Sequence, residues 1–403
     1  SDPTREISIL QTAGFDRFLI RQSEAIRMAY IVHTADIHFD SPFGAVFDRR
    51  KAELRRSEQR AAFSKTIDLA SNADMLIMAG DIFDSENVSL ETINFMKRKF
   101  SEIPNVKVFI AAGNHDPYTI DSVYASEDFG DNVHVFSIEP ERIVLDEIGV
   151  AVYGISFSSP HVEEPLLKRF NGLEFDPDLT NVLVMHGEVV SRGAGSDYNP
   201  IYPEFIEEFP FDYAALGHVH SFSGINKFVS SKNRREIYAA YPGVPEPRNF
   251  GECGEKGVIA GNIKAGDSDL KFVRICRRCF RNISVDITGT GDNQRIYELI
   301  LSEIEKYDKD DIFRIDLTGT FDEDFTPDLA SLSEQLKDAA FYLEIEDGSD
   351  ASLNYLNYKD ETGLRGVFVR MMMERLERAK DEDEKRLVNK AIAYGLGALS
   401  GGE

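Results

Sequence analysis

The sequence predicts an α/β protein built on a buried sheet, followed by a small α+β module and a helical tail. Three observations carry this reading. From Ala29 to about Cys279, short apolar runs alternate with helical patterns, and each run ends in small or polar residues. That is the signature of buried strands whose loops gather at their C-terminal ends. From Asn282 to about Glu346, the runs alternate apolar and polar residues instead. From Gly363 to Glu403, apolar residues recur at helical spacing.

In chain order, the strand-like runs of the first stretch are AYIVHTAD, DMLIMAG, VKVFIAAG, VAVYGISF, NVLVMHG and DYAALGH. Residues Arg49 to Ala70 read as a helix between the first two. In the second stretch ISVDITG, IFRIDLTG and FYLEIED read as strands, with helical patterns over 292–306 and 328–339. In the tail, Leu364, Val367, Phe368, Met371, Met372 and Leu376 make one apolar stripe. KDEDEK at 380–385 interrupts it, and Leu387, Ala391, Ile392, Leu396 and Leu399 make a second, so the tail reads as a helical hairpin. The expected division is an N-terminal extension over 1–27, a main domain over 28–279, a small capping domain over 280–350 and a helical segment over 360–403.

Bulk properties narrow the function classes. The 403 residues suffice for two or three domains with a large core. Three cysteines cannot build a disulfide framework, which suits a reducing, cytoplasmic location. No apolar run reaches membrane-spanning length, and no membrane partner is expected. A net charge of −25 argues against a protein whose whole surface grips nucleic acid. It leaves room for a local site where bound metals supply the positive charge.

The polar residues at the strand ends carry the chemistry. The first strand ends in Asp36-x-His38, the second in Gly80-Asp81-x-x-Asp84 and the third in Gly113-Asn114-His115-Asp116. Later strands end in His186-Gly187 and Gly217-His218-x-His220. Five of the eight histidines lie in these turns. A single Asp or His there is more often a cap or a solvated loop group. Five such turns at sheet ends that can converge are not explained by structural need. Imidazole and carboxylate together suit first-row divalent cations, and two ions ~3.5–4 Å apart can clamp a phosphate and activate water. The glycines at 80, 113, 187 and 217 are expected to let the backbone turn beside the ions.

This series resembles the full signature of the calcineurin-like metallophosphoesterases over roughly residues 30–220. The resemblance implies a four-layer αββα sandwich and two divalent metal ions. Matched by position, it implies that Asp36, His38 and His220 hold the first ion and Asn114, His186 and His218 the second, with Asp81 bridging. It implies that His115 binds no metal and assists the phosphoryl transition state or the leaving oxygen. Asp84 and Asp116 are candidates for supporting positions: Asp116 either orients His115 or makes a plain loop contact, and Asp84 is open in the same way. Some family members carry histidine at the position of Asp84, so a catalytic role is not carried over to it.

Longer stretches, VHTADIHFDSPF, GAGSDYNPIYPEFIEEFPFDYAALGHVH and YAAYPGVPEPRNFGECGEKG, are similar to the bacterial SbcD group and its YhaO-like exonucleases. That resemblance implies DNA as substrate, manganese as the ion, exonuclease and single-strand endonuclease action in DNA repair, a homodimer, and an SbcC-like coiled-coil ATPase as partner. Two other readings stand beside it. One is a phosphatase or cyclic-nucleotide phosphodiesterase, for which the cap and tail are superfluous; the other is a non-catalytic scaffold, which a complete ligand set argues against. Cys276-x-x-Cys279 has zinc-like spacing but only Cys253 to join it. Basic clusters at Arg49–Lys51, Arg55 with Arg56, Lys97–Lys99 and Lys232–Arg235 are mostly expected to be solvated, with one or two lining a DNA groove.

Overall fold

A computed structural model describes residues 28–44, 47–321, 325–351 and 358–400. The expected extension over 1–27 lies outside them. The chain divides into two compact units, Ser1–Arg248 with Glu255–Arg277, and Asn249–Gly254 with Arg278–Glu403.

The first unit is built on two six-stranded sheets. The first sheet takes β1 (Ala29–Thr34), β2 (Met75–Ala79), β3 (Lys107–Ala111) and β4 (Val133–Val135). The second takes β5 (Glu141–Leu145), β6 (Val150–Ile155), β7 (Thr180–His186), β8 (Tyr213–Gly217), β9 (Asn226–Val229) and β10 (Glu236–Ala240). The chain then returns to the first sheet with β11 (Gly257–Lys264) and β12 (Asp267–Arg274). The strand orders are β12-β11-β1-β2-β3-β4 and β9-β10-β8-β7-β6-β5. β1 to β4 run parallel, as do β6, β7, β8 and β10. All six strands read from the sequence are present.

Period-two burial makes the layers. Met75, Ile77 and Ala79 of β2 face the same core as Val182 and Val184 of β7, which lies between the sheets. Leu76 and Met78 face outward onto α1 (Arg49–Ala70) and α2 (Leu90–Ser101). Leu183, Met185, Ala214 and Leu216 face an outer core with Leu166, Phe170 and Ile206. α1 has the bounds expected from the sequence and starts on an Asp48 side chain that accepts from Lys51 N.

One inner-face residue on β1 is polar. His33 is fully buried, with Nδ1 2.8 Å from the Tyr213 hydroxyl. Burial pushes its pKa down to about 3, so it is neutral in the folded protein. An unfolded chain would take up a proton near pH 6.5, so the stability that neutral His33 contributes is complete above that pH. It is lost as pH falls from about 6.5 toward 3. At pH 5 the expected loss from this group is ~2 kcal/mol. Denaturant unfolding at pH 8 and pH 5 checks this: His33→Gln should shrink the pH dependence by about that amount, and equal pH dependences would refute it.

The second unit holds a parallel three-stranded sheet of β13 (Phe280–Asp286), β14 (Ile312–Thr318) and β15 (Tyr342–Asp347). α3 (Asn293–Ile304) and α4 (Leu329–Leu336) pack on it through Ile296, Ile300, Leu332 and Leu336. The hairpin follows as α5 (Leu364–Glu377) and α6 (Glu382–Ser400). Its expected stripe is split in two. Phe368, Met372 and Leu376, together with Val369, close against Val388, Ile392 and Leu396. Leu364, Val367, Met371 and Leu387 are left exposed.

Candidate metal centre

The five strand-end turns meet in one place because their strands are neighbours in the two sheets and four of them are tied together by backbone bonds and by the carboxylates of Asp116 and Asp36. Asp36 N and His38 N donate to the carbonyls of Gly80 and Asp81, which joins the loop after β1 to that after β2. Asp116 joins the loop after β2 to that after β3: its carboxylate accepts from Ile82 N, Phe83 N, Gly113 N and the Tyr124 hydroxyl. Those bonds use Asp116 as a loop anchor. It makes none to His115, so of the two expected roles the loop contact holds and the orienting of that ring is corrected. Asp36 takes the His218 N–H on both carboxylate oxygens, which ties β1 to β8.

The local backbone is costly. Asp36, His38 and Asp81 have φ of 52°, 53° and 51°, a region that non-glycine residues avoid. Such strain persists where the surroundings impose it, and it clusters at functional sites. The glycines serve two ends. Gly80 has φ 87°, as a turn would require. Gly113 and Gly217 do not have positive φ; there the need is space. A Cβ on Gly113 would lie 2.2 Å from Asp81 Oδ1, and one on Gly217 1.8 Å from the Ala79 carbonyl oxygen.

The side chains form two adjoining sets. Asp36, His38, Asp81 and His220 bring one ligand atom each within 4.8 Å of one another. Nε2 of His38 and Nε2 of His220 face each other at 3.3 Å, and Asp81 Oδ2 lies 3.7 Å from His38 Nε2. Beside them, Asn114 Oδ1 lies 3.0 Å from His186 Nε2 and 3.2 Å from His218 Nδ1, with Asp81 Oδ2 3.5 Å from His186 Nε2. All seven expected ligands are thus brought together, with Asp81 between the sets. Facing imidazole lone pairs and buried carboxylates are a donor set that divalent cations satisfy. The residues fit a dinuclear centre.

His186 Nδ1 donates to the Ala79 carbonyl at 2.9 Å, which leaves Nε2 for the centre. Asp84 stands behind His38, its Oδ1 3.2 Å from His38 Nδ1, at ion-pair distance but without a hydrogen bond. The same carboxylate accepts from Arg248 at 2.9 Å, a partner that sequence reasoning missed because it lies far along the chain. Arg55, read as part of a surface basic cluster, is instead fully buried, paired to Glu246 at 2.7 Å and to Glu58. His115 is exposed. Its backbone N–H donates to Asp81 Oδ1, and its Nδ1 lies 3.1 Å from the Asp84 carbonyl oxygen. Beside it runs an open groove of ≈ 440 Å³ lined by Asp84, Asn114, His115, His161 and Tyr198.

Electrostatics set the charge states of the metal-free centre. Burial pushes His38 and His218 down to about 4, so both are neutral and ready to bind. Burial opposes a charge on His186 as well, but Asp81 and Asp36 override it and hold the ring up at about 9. Asp81 is also buried, yet the His186 charge and hydrogen bond keep it well below the usual carboxylate range. Metal binding must therefore displace a proton from His186. Apparent affinity for the ion beside it is expected to rise about tenfold per pH unit from pH 7 toward 9, with about one proton released. Calorimetric titration in buffers of different ionisation heat measures that release; a zero count at pH 7 would refute it.

The calcineurin-like phosphoesterase family model matches residues 29–222. Among curated proteins, the chain is similar to the uncharacterized metallophosphoesterase YhaO of Bacillus subtilis, 26% identical over 302 residues, covering 72% of this chain and 71% of that one. It is also similar to the DNA double-strand break repair protein Mre11 of Methanosarcina acetivorans, at 25% over 360 residues, 84% of this chain and 49% of that protein. The Mre11 of Methanopyrus kandleri is 26% identical over 240 residues, 56% of this chain and 50% of that one. The chain thus spans about half the length of these Mre11 relatives.

Proposed function

Because residues 29–222 form a calcineurin-like metallophosphoesterase domain, a metal-dependent hydrolase of phosphoesters, we propose that its substrate is DNA and that it acts as an exonuclease with single-strand endonuclease activity. The observation that carries the reading is the complete set of seven ligands at the ends of five strands, beside an open groove. An open groove suits a polymer better than a closed pocket would, and relatives named for double-strand break repair support DNA.

Asp36, His38, Asp81 and His220 would hold one ion, and Asp81, Asn114, His186 and His218 the other. Manganese is the proposed metal, as the resemblance to the SbcD group implies; the carboxylate and amide oxygens of the centre suit it. When bound, such a pair supplies charge stabilisation for in-line phosphoryl displacement. Asp84 places a negative charge behind His38, on its Nδ1 side. His115 holds a proton at Nε2 for the leaving oxygen, its other nitrogen being tied to the Asp84 carbonyl.

The test is to incubate the purified chain with labelled single- and double-stranded DNA, a small phosphodiester and a phosphomonoester, in manganese, magnesium or chelator. Cleavage of DNA and diester in manganese, abolished by chelator, is expected. Preference for the monoester would make the protein a phosphatase, and no cleavage at all a scaffold.

The partners belong to the same proposal: a homodimer in a cytoplasmic complex with an SbcC-like coiled-coil ATPase, contacted through the hairpin. The exposed Leu364, Val367, Met371 and Leu387 offer an apolar face, and methionine adapts to irregular surfaces. Deleting 361–403 is expected to leave a folded manganese-dependent nuclease that no longer copurifies with the ATPase. An insoluble truncation, or one that still binds the ATPase fully, would move the partner site elsewhere.

A further inference from the structure

The groove beside the centre continues past the reacting site. Asp84, Ser85, Glu86 and Asn87 form one wall of it. Asn87 also lines a second open groove of ≈ 440 Å³, together with Asp40, Arg56, Val88 and Ser89. Residues 84–89 are therefore a shared wall, and an extended ligand lying along it passes from one groove into the other at Asn87. That wall is pinned at both ends to the loop after β1. Asp84 N donates to the Phe39 carbonyl at 2.9 Å, and Ser89 N donates to Asp40 Oδ2 at 2.9 Å. The same loop carries Asp36 and His38, so the second groove keeps a fixed place relative to the centre.

Arg56 is the cation of the second groove. Its neighbours on α1 are already committed, Arg55 to Glu246 and Glu58, and Arg60 to Glu91. Arg56 is half-buried and, among the described residues, makes no ion pair. Nη1 donates to the Pro42 carbonyl at 3.0 Å, which holds one edge of the guanidinium and leaves Nη2 and Nε without a protein acceptor. The carboxylate of Asp40 shares the groove, but its oxygens are turned to the loop, one to Ser89 N and the other to the Thr92 hydroxyl.

We propose that the second groove is a phosphate subsite, in which Arg56 holds a backbone phosphate of the DNA strand whose reacting phosphate lies at the centre. It rests on the phosphodiesterase reading and adds to it a preference for a polymer: a small diester fills the centre alone, whereas a strand fills both grooves. A guanidinium with an open edge suits phosphate oxygens. Such a contact sets the position of a strand without reading its bases. An Arg56 with a structural role alone would act through the Pro42 carbonyl on the loop that bears Asp36 and His38, and its loss would cost manganese.

The test compares an oligonucleotide single strand with a nitrophenyl diester, both hydrolysed by the same samples of full-length chain at saturating manganese, with metal content measured alongside. Arg56→Gln is expected to lower kcat/KM for the strand relative to that for the diester at least ~10-fold, through KM, as loss of a hydrogen bond between charged groups does. Manganese content should not change. Strand binding is read by fluorescence anisotropy in a His115→Ala background, which slows cleavage. There Arg56→Gln should weaken binding to the same extent and flatten the slope of log affinity against log salt by about 0.7, the share of one phosphate contact on a single strand. Arg56→Lys should fall between Arg56→Gln and wild type. Unchanged strand affinity in Arg56→Gln, equal falls for strand and diester, or a loss that tracks manganese would overturn the proposal. If Arg56→Gln does not fold, Arg56→Lys decides, with wild-type strand affinity as the refuting result. A chain that binds the strand through Arg56 but leaves it intact would sink the nuclease reading alone. A nuclease whose strand affinity ignores Arg56 would sink this subsite alone, and a chain that binds no strand would sink both.

Discussion

Asp81→Ala is expected to remove both ions and to lower phosphodiester hydrolysis by at least ~10³-fold, taking the several kcal/mol of charge stabilisation that bound metals supply at 1.36 kcal/mol per decade. The effect is large because Asp81 serves three structures at once. Its Oδ2 lies 3.7 Å from His38 Nε2 in one set and 3.5 Å from His186 Nε2 in the other. Its Oδ1 accepts the His115 N–H and so shapes the turn that bears Asn114 and His115. Asn114→Ala, by contrast, removes a ligand from the second set alone, and should lower metal content toward one ion per chain. Elemental analysis after gel filtration separates the two outcomes. An Asp81→Ala protein that keeps two tightly bound ions and wild-type activity would show that the centre lies elsewhere.

The candidate ligand positions that converge in the structure were legible because each stands where an apolar run breaks, and a buried parallel strand leaves little else for its C-terminal end to do. Asp36, Asp81, Asn114, His186 and His218 needed no knowledge of which strand neighbours which. What was not legible depends on contacts distant in sequence. Arg55 next to Arg56 looks like surface charge; its burial follows from Glu246, 191 positions later, whose carboxylate it meets. Arg248 lies in the stretch YAAYPGVPEPRNFGECGEKG, but nothing in that stretch says which residue it meets; its partner Asp84 is 164 positions away. Asp84 itself could be read only as an uncertain support until His38 Nδ1 was found 3.2 Å from it. The hairpin erred differently. Helical spacing correctly gave two helices, but a 3.6-residue period does not say which side of a broad stripe meets the partner helix. The inner seam took Val369 and left Leu364 and Met371 exposed.

His115→Ala should separate chemistry from metal binding, with hydrolysis falling ~10²–10⁴-fold, the usual loss when a positioned proton donor is removed, and two ions retained. The geometry supports the separation. His115 is joined to the centre through its backbone N–H, which bonds Asp81 Oδ1 and survives substitution by alanine. Its ring sits edge-on to His38 at 4.7 Å between centroids and is tethered at Nδ1 to the Asp84 carbonyl. That tether leaves Nε2 as the nitrogen able to exchange a proton with a group bound in the groove. A proton donor matters in proportion to how poor the leaving group is. The loss should therefore be large for a DNA or alkyl phosphodiester and small for a nitrophenyl diester, whose leaving oxygen needs no proton. The alternative is that His115 is itself a ligand, since His38, Asp84 and His115 also lie close enough to share an ion. In that case His115→Ala would lose metal in step with activity, and would lose it equally for both substrates. Parallel measurement of metal content and of the two rates in His115→Ala distinguishes a proton donor from a metal ligand.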